Sequence, residues 1–83
     1  MSYYYVCMQD LKDGTNPCTI TAFNNYDDAD GQLCYDTWYA IQNKENYNSI
    51  VCMILNSIGN CEKKVIKEWK EPEPPVNESD EVE

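Results

Sequence analysis

Apolar residues recur every three or four positions along residues 25–42, a spacing that places them on one side of an α-helix. The predicted buried stripe comprises Tyr26, Ala29, Leu33, Cys34, Thr37, Ala40 and Ile41. Asn25 suits the N-cap because its side-chain oxygen can accept a hydrogen bond from a first-turn amide. Gly31 lies inside this helix, where glycine costs about 1 kcal/mol relative to alanine. We therefore predict one amphipathic helix with an unfavourable residue in its interior.

Four other segments have the composition of β-strands. Residues 3–9 and 49–55 are almost continuously apolar, which is typical of central strands covered on both faces. Residues 18–23 alternate threonine with apolar side chains, and residues 61–70 carry several lysines, which suit an edge strand. Turn-forming residues separate the strands of each pair, and a polar loop at 43–48 is predicted to follow the helix.

The order of these segments predicts an α+β domain of ββαββ type over residues 1–70. Its four-stranded antiparallel sheet has the strand order 2-1-3-4, with the helix packed on one face. One helix shields only one face of such a sheet. The other face is expected to present part of the set Tyr3, Tyr4, Tyr5, Val51, Met53 and Leu55. That face is either solvated or in contact with a second copy or another protein.

Residues 71–83 are rich in proline and acids and predict a disordered acidic tail. The formal net charge of the chain is −9. The tail has six acidic residues and no basic ones, whereas residues 1–70 have nine acids and six lysines. The absence of arginine and of a basic patch argues against direct nucleic-acid binding. Such acidity suits solubility, repulsion from DNA and membranes, or docking onto a protein partner with a basic surface. No signal peptide or membrane-spanning segment is predicted, so we expect a cytoplasmic protein.

The side chains needed for common chemistries are missing from the sequence. Without histidine, the chain has no Cys–His or Ser–His pair and no histidine metal ligand. The five cysteines contain no CxxC spacing and are interpreted as reduced thiols that pack as small buried hydrophobes. The run DDADG is not a calcium loop, because Tyr26 and Thr37 stand at its first and twelfth positions, where acids are needed. We predict no catalytic, metal-binding or cofactor-binding residues, and no enzyme activity.

The helix nevertheless carries candidate partner-binding residues. Three large aromatic residues lie on or near the side of the helix opposite the stripe, and four acids accompany them. These candidates are Tyr35, Trp38, Tyr39, Asp27, Asp28, Asp30 and Asp36. The aromatic residues either form a contact surface or lie flat over a wider apolar stripe. The first three aspartates also suit the positive end of the helix dipole.

Two stretches, ITAFNNYDDADGQLCYDTWYAI and SIVCMILNSIGNCEKKVIKEW, carry a further pattern. A strand leads into the helix, whose entry contains Asp-Ala, and a hairpin turning at Gly-Asn follows. Over residues 20–69 the chain thereby resembles small uncharacterised ββαββ proteins of phages, prophages and mobile elements of gut Gram-positive bacteria. Asp28-Ala29 and Gly59-Asn60 match that pattern. Many relatives have an aromatic-His pair where this chain has Leu33-Cys34, so no role of that histidine carries over. The resemblance implies a genomic origin rather than an activity.

Two hypotheses about function follow. The first is a small, acidic, non-enzymatic protein-binding module of phage or mobile-element origin, such as an anti-CRISPR-like inhibitor of a host defence nuclease. In that role an acidic domain would occupy a basic nucleic-acid channel. The alternative is a structural or accessory protein that self-associates as a homodimer, through the uncovered sheet face or through the patch formed by Tyr35, Trp38 and Tyr39. An enzyme would need a cleft that gathers carboxylates or Cys34.

Overall fold

The computed structural model describes residues 2–69, which form one sheet and one long helix. The elements are β1 (Tyr3–Leu11), β2 (Cys18–Phe23), α1 (Tyr26–Gln42), a short 3-10 helix (Lys44–Asn46), β3 (Tyr47–Leu55) and β4 (Cys61–Glu68). The predicted α+β class and ββαββ order are confirmed. The predicted tail at 71–83 lies outside the described residues. Among residues 2–69, no helix has both the length and the apolar character that a bilayer crossing requires.

The four strands are antiparallel in the order β2-β1-β3-β4, as predicted. β1 and β3 occupy the centre, where a neighbouring strand on each side shields their apolar side chains, whereas the lysines of β4 stay solvated at an edge. Tyr5 on β1 lies opposite Thr21 on β2 and Ile54 on β3. Because directly opposed residues share a face of the sheet, these pairings fix which side chains meet the helix.

The core lies between α1 and one face of the sheet. Its buried members are Tyr5, Cys7, Tyr47, Ile50, Cys52 and Ile54 from the strands and Ala29, Leu33 and Ala40 from the helix. The two alanines bring the helix backbone close to the sheet, and Leu33 fills the space between them. Burial of each large apolar side chain stabilises the fold by roughly 1.5–3 kcal/mol. This helix–sheet contact therefore holds α1 in place.

Both ends of α1 are closed by asparagines. The side-chain oxygen of Asn25 accepts a hydrogen bond from the amide of Asp28 at 2.8 Å, which confirms the predicted N-cap. At the other end the Asn43 amide donates to the carbonyls of Tyr39 and Ala40. These bonds satisfy backbone groups that a helix end would otherwise leave unpaired.

The predicted buried stripe is too wide. Ala29, Leu33 and Ala40 are buried, but Cys34 and Ile41 are exposed. The prediction for these two residues is wrong, because each follows a fully buried residue by one position and therefore lies about 100° further round the helix. The remaining stripe members, Tyr26 and Thr37, are half-buried.

The predicted exit loop is also shorter than expected. Residues 44–46 form a 3-10 turn, and β3 already begins at Tyr47, which is buried. Tyr47 is drawn into the sheet by Leu11, its partner on β1, across a register shift next to Asp10. Its ring also packs edge-on against Trp69, with centroids 6.2 Å apart. The pairing of Tyr47 with Leu11 joins residues 36 positions apart, so the local sequence could not show it.

The opposite face of the sheet, called here the reverse face, has no cover among residues 2–69. Alternation along the strands gives it Cys18, Ile20, Ala22, Tyr4, Val6, Met8, Val51, Met53, Leu55 and Ile66. Ile20 is 68 % exposed and Ile66 is 51 % exposed. Charged side chains enter this face on β4, at Lys64 and Glu68. One helix thus leaves a largely apolar surface open.

Gly31 provides a test of the helix. It is exposed in the middle of α1, and a Cβ added there would meet no atom within 4 Å. Gly31→Ala should therefore stabilise the fold by about 1 kcal/mol, because alanine loses less backbone entropy in a helix. Urea unfolding followed by circular dichroism measures this change. Gly59→Ala is the control and should destabilise, since Gly59 has a φ of +92°. An unchanged or lower midpoint for Gly31→Ala contradicts the interpretation.

Candidate functional site

An open cleft of about 350 Å³ lies beside the second half of α1. Its lining residues are Gln9, Tyr35, Asp36, Tyr39 and Tyr47. The helix supplies three of them because positions three and four residues apart lie close together on its surface, so Tyr39 lies near both Asp36 and Tyr35. β1 and the start of β3 supply the other two. The cleft therefore combines three phenol rings, one carboxylate and one carboxamide.

The carboxylate of Asp36 is held in place by two donors. The Tyr5 hydroxyl donates to its Oδ2 at 2.6 Å, and Gln32 Nε2 donates to its Oδ1 at 3.0 Å. Burial, together with the hydrogen bond to Asp36, raises the pKa of Tyr5 well above its ordinary value. The phenol consequently keeps its proton and remains a donor. Asp36 is thus a fixed acidic group beside the cleft rather than a mobile surface acid.

Next to the cleft, the outer surface of α1 carries an aromatic ridge, defined by Tyr35, Trp38 and Tyr39. The Tyr35 ring lies 6.1 Å from the Trp38 ring and 6.2 Å from the Tyr39 ring, measured between centroids. The three side chains are 55 %, 55 % and 45 % exposed. Their predicted position opposite the buried stripe is confirmed. Large aromatic side chains with this exposure are more typical of interfaces than of free surface.

The other three candidate acids lie at the start of the helix and have different surroundings. Asp28 contacts the N-cap, since Asn25 Nδ2 donates to its Oδ2 at 3.1 Å. Asp30 forms an ion pair with Lys63 of β4 at 2.7 Å, and this hydrogen bond raises the pKa of Lys63. Asp27 is exposed. Six residues separate Asp30 from Asp36, a rise of about 9 Å along the helix, so the four aspartates do not form one cluster.

Two cleft residues, Gln9 and Tyr47, were not among the sequence-based candidates. Gln9 stands near the end of an apolar strand, and Tyr47 stands in a segment predicted to be a loop. Only the pairing of β1 with β3 brings them to the helix. The one local signal is Leu11, which continues the alternation of β1 beyond Gln9 and indicates a longer strand.

The cysteines occupy two kinds of environment. All five are free thiols. Cys7 and Cys52 are buried in the core, as predicted, but Cys18, Cys34 and Cys61 are exposed, so for them that prediction is wrong. Two of the exposed cysteines lie on edge strands and the third on the side of α1, where the sheet gives no cover. Within residues 2–69, no three cysteine or acidic side chains are grouped so that they could hold a metal ion.

Comparison of the chain with protein-family models, with curated proteins and with solved structures finds no match in any of the three. The class that the geometry defines is a small α+β domain with one helix on a four-stranded antiparallel sheet. The argument for a function therefore rests on the cleft, the aromatic ridge and the reverse face.

Tyr5 allows a test of the buried hydrogen bond below the cleft. Burial raises the pKa of Tyr5 and of Tyr47 above the ordinary value of 10.0. Their stabilising contribution is full below pH 10 and falls above it, because the unfolded chain then ionises while the folded chain does not. For Tyr5, whose pKa is raised furthest, stability should fall by about 1.4 kcal/mol per pH unit above pH 10.

Tyr5→Phe should reduce this alkaline slope by about 1.4 kcal/mol per pH unit, because one ionisable group is removed. It should also lower the free energy of unfolding at pH 7 by about 1–2 kcal/mol, because Asp36 loses a hydrogen-bond donor. Urea unfolding between pH 7 and 11, followed by far-ultraviolet circular dichroism, gives both quantities. Tyr4→Phe, on the reverse face, is the matched control. An alkaline slope that is the same in Tyr5→Phe and the wild type would refute the assignment.

Proposed function

We propose that the protein is a non-enzymatic protein-binding module whose binding surface is the aromatic ridge together with the adjoining cleft. The observation that carries this proposal is the contiguous exposure of three aromatic side chains beside a fixed carboxylate. Aromatic rings supply large contact area with little loss of side-chain entropy, and they are enriched where protein interfaces contribute most energy.

The chemistry of the cleft favours a cationic side chain from the partner. The rings of Tyr35, Tyr39 and Tyr47 offer π faces to a cation, and Asp36 supplies the opposite charge. The last turn of α1 contains no basic residue, so the negative end of the helix dipole adds to this potential. We infer that a lysine or arginine side chain of a partner enters the cleft while neighbouring residues cover the ridge.

Charge favours the same class of partner. The formal charge of −9 raises the rate of encounter with a basic protein surface and opposes contact with nucleic acid. The sequence resemblance supports a cytoplasmic partner that is encoded by the host of a phage or mobile element. In its narrowest form, this proposal names a defence nuclease with a basic channel. The exposed Asp27 and Asp28 and the acids of residues 71–83 would add to such a contact.

A second candidate function is self-association through the reverse face, with a second copy of the chain as the occupant. The face is apolar at its centre, and Lys64 and Glu68 lie four residues apart on β4. About a two-fold axis, Lys64 of each copy would meet Glu68 of the other. Four strands spaced about 4.8 Å apart, over about six residues each, give a flat footprint of only roughly 400 Å². This is small against the roughly 800 Å² per partner of a standard interface and predicts a weak dimer.

Titration with short capped peptides tests the cleft. Two-dimensional ¹H–¹⁵N spectra should show shifts at Gln9, Asp36 and the three cleft tyrosines on addition of hexa-arginine or hexa-lysine, and none with hexa-serine. The double variant Tyr35→Ala/Tyr39→Ala should weaken hexa-arginine binding about five- to thirtyfold, since each exposed cation–π contact contributes roughly 0.5–1 kcal/mol.

The matched control for this titration is Tyr4→Ala, which removes an exposed tyrosine from the reverse face. It should bind hexa-arginine as the wild type does. If the acids attract the peptide without the cleft, shifts will fall on the aspartates at the start of α1 and affinity will be equal in all three proteins. That result would overturn the proposed binding surface.

Sedimentation equilibrium across a concentration series from micromolar to millimolar tests the second candidate. A weak dimer should appear at the upper end for the wild type and disappear in Ile20→Lys, which places a charge at the most exposed large apolar residue of the reverse face. Ile58→Lys is the control, because Ile58 is 80 % exposed in the β3–β4 turn. A wild type that stays monomeric throughout removes this candidate and leaves the cleft proposal untouched.

A further inference from the structure

The two buried cysteines form a pair that neither the fold nor the proposed binding surface requires. Cys7 of β1 and Cys52 of β3 lie directly opposite each other on the two central strands. Their side chains are on the helix-facing side of the sheet, where the residues are 1 % and 0 % exposed. Two thiols facing each other in a core are chemically distinct from two isolated small hydrophobes.

The hydrogen-bond pattern of the sheet shows how close the two residues are. The Gln9 amide donates to the Pro17 carbonyl at 2.9 Å, so Gln9 directs its backbone groups away from β3. Cys7, two residues earlier on the same strand, does the same. Cys7 and Cys52 are therefore a non-hydrogen-bonded pair, in which opposed Cα atoms are about 4.5 Å apart. This separation lies within the range of about 4.4–6.8 Å that disulfides span.

Polar side chains surround both sulfur atoms. Gln9 Nε2 donates to Cys7 Sγ at 3.6 Å, and the Tyr5 hydroxyl lies 3.2 Å from Cys52 Sγ. A hydrogen bond from the Cys52 thiol lowers the pKa of Cys7 to about 6, against the effect of burial and with help from Gln9. The same hydrogen bond, together with burial, raises the pKa of Cys52. Of the two thiols, Cys7 therefore loses its proton first, while Cys52 keeps its own.

We propose that Cys7 and Cys52 are a redox-active pair that hydrogen peroxide converts into a cross-strand disulfide. The Cys7 thiolate attacks one peroxide oxygen, the O–O bond breaks, and hydroxide leaves and is protonated to water. Cys52 sulfur then attacks the sulfenic sulfur of Cys7, and a second water leaves with the Cys52 proton. One peroxide is reduced to two waters while two thiols are oxidised to one disulfide.

The cleft is the solvent-open surface through which a small oxidant would approach the thiol pair. Gln9 and Asp36 line the cleft, and each is linked to the thiol pair, Gln9 directly and Asp36 through the Tyr5 hydroxyl. Each sulfur therefore lies close behind the inner wall of the cleft. The exposed cysteines have no such partner across the sheet, because Cys18 lies opposite Met8 and Cys61 lies opposite Leu55.

The experiment uses a background variant, Cys18→Ser/Cys34→Ser/Cys61→Ser, in which only the buried pair remains. Treatment with hydrogen peroxide at pH 7 should lower the intact mass by about 2 Da, for the two hydrogens lost. Peptide mapping should then find Cys7 linked to Cys52. The midpoint of thermal unfolding should rise by roughly 10 °C, because the new bond closes a long loop. The oxidation rate should increase from pH 5 to pH 7 as Cys7 loses its proton.

Adding Cys52→Ser to this background provides the control, which should show oxygen addition and no 2 Da loss. The proposal is overturned if the background variant keeps its mass, links to a second copy or gains only oxygen. Should the background variant fail to fold, peptide mapping of the oxidised wild type decides the question. A Cys7–Cys52 link there supports the proposal, and scrambled links or none contradict it.

Discussion

The structure depends on the packing of a single helix against one face of a four-stranded sheet. The helix contributes Ala29, Leu33 and Ala40 to this contact, and the sheet contributes Tyr5, Ile50 and Ile54. These side chains supply most of the core. So small a domain gains limited stability from burial, and residues 2–69 contain no second layer that covers the other side. The helix therefore determines at once what is buried, what stays open, and which helix residues face solvent.

Within this core runs a short chain of polar contacts. It leads from Cys52 to the Tyr5 hydroxyl and on to the Asp36 carboxylate, and Gln9 contacts Cys7 beside it. Buried polar groups destabilise a fold when they lack partners, but a fully paired network fixes the position of every member. The tyrosine thus aligns the helix on the sheet and holds the cleft acid in place. It also connects the cleft to Cys52, through its hydrogen bond to Asp36 and its 3.2 Å contact with the Cys52 sulfur.

The acids of the chain differ in what they do for the fold. At the start of α1 they contact the N-cap and join the helix to β4 through the pair Asp30–Lys63. Asp36 lies more than a turn further on, where the neighbouring side chains are aromatic. A carboxylate among rings recognises a cation by charge and by π contact together, which a solvated acid on an open surface does less well. Local surroundings, rather than the count of acids, set Asp36 apart.

The sequence by itself determined the elements. Periodicity, the Asn25 cap and the turn residues gave the helix and the β2 boundaries, because these depend on neighbours a few positions apart. The apolar character of β1 and β3 gave the strand order, because the most apolar strands belong at the centre of a sheet. Tertiary structure decided the rest. Only strand pairing drew Tyr47 out of a predicted loop, carried Gln9 to the helix and set Cys7 opposite Cys52. Only packing showed that Cys34 and Ile41 lie outside the buried stripe. The register of the strands and the orientation of the helix on the sheet depend on contacts between residues far apart in the chain, and no local pattern encodes them.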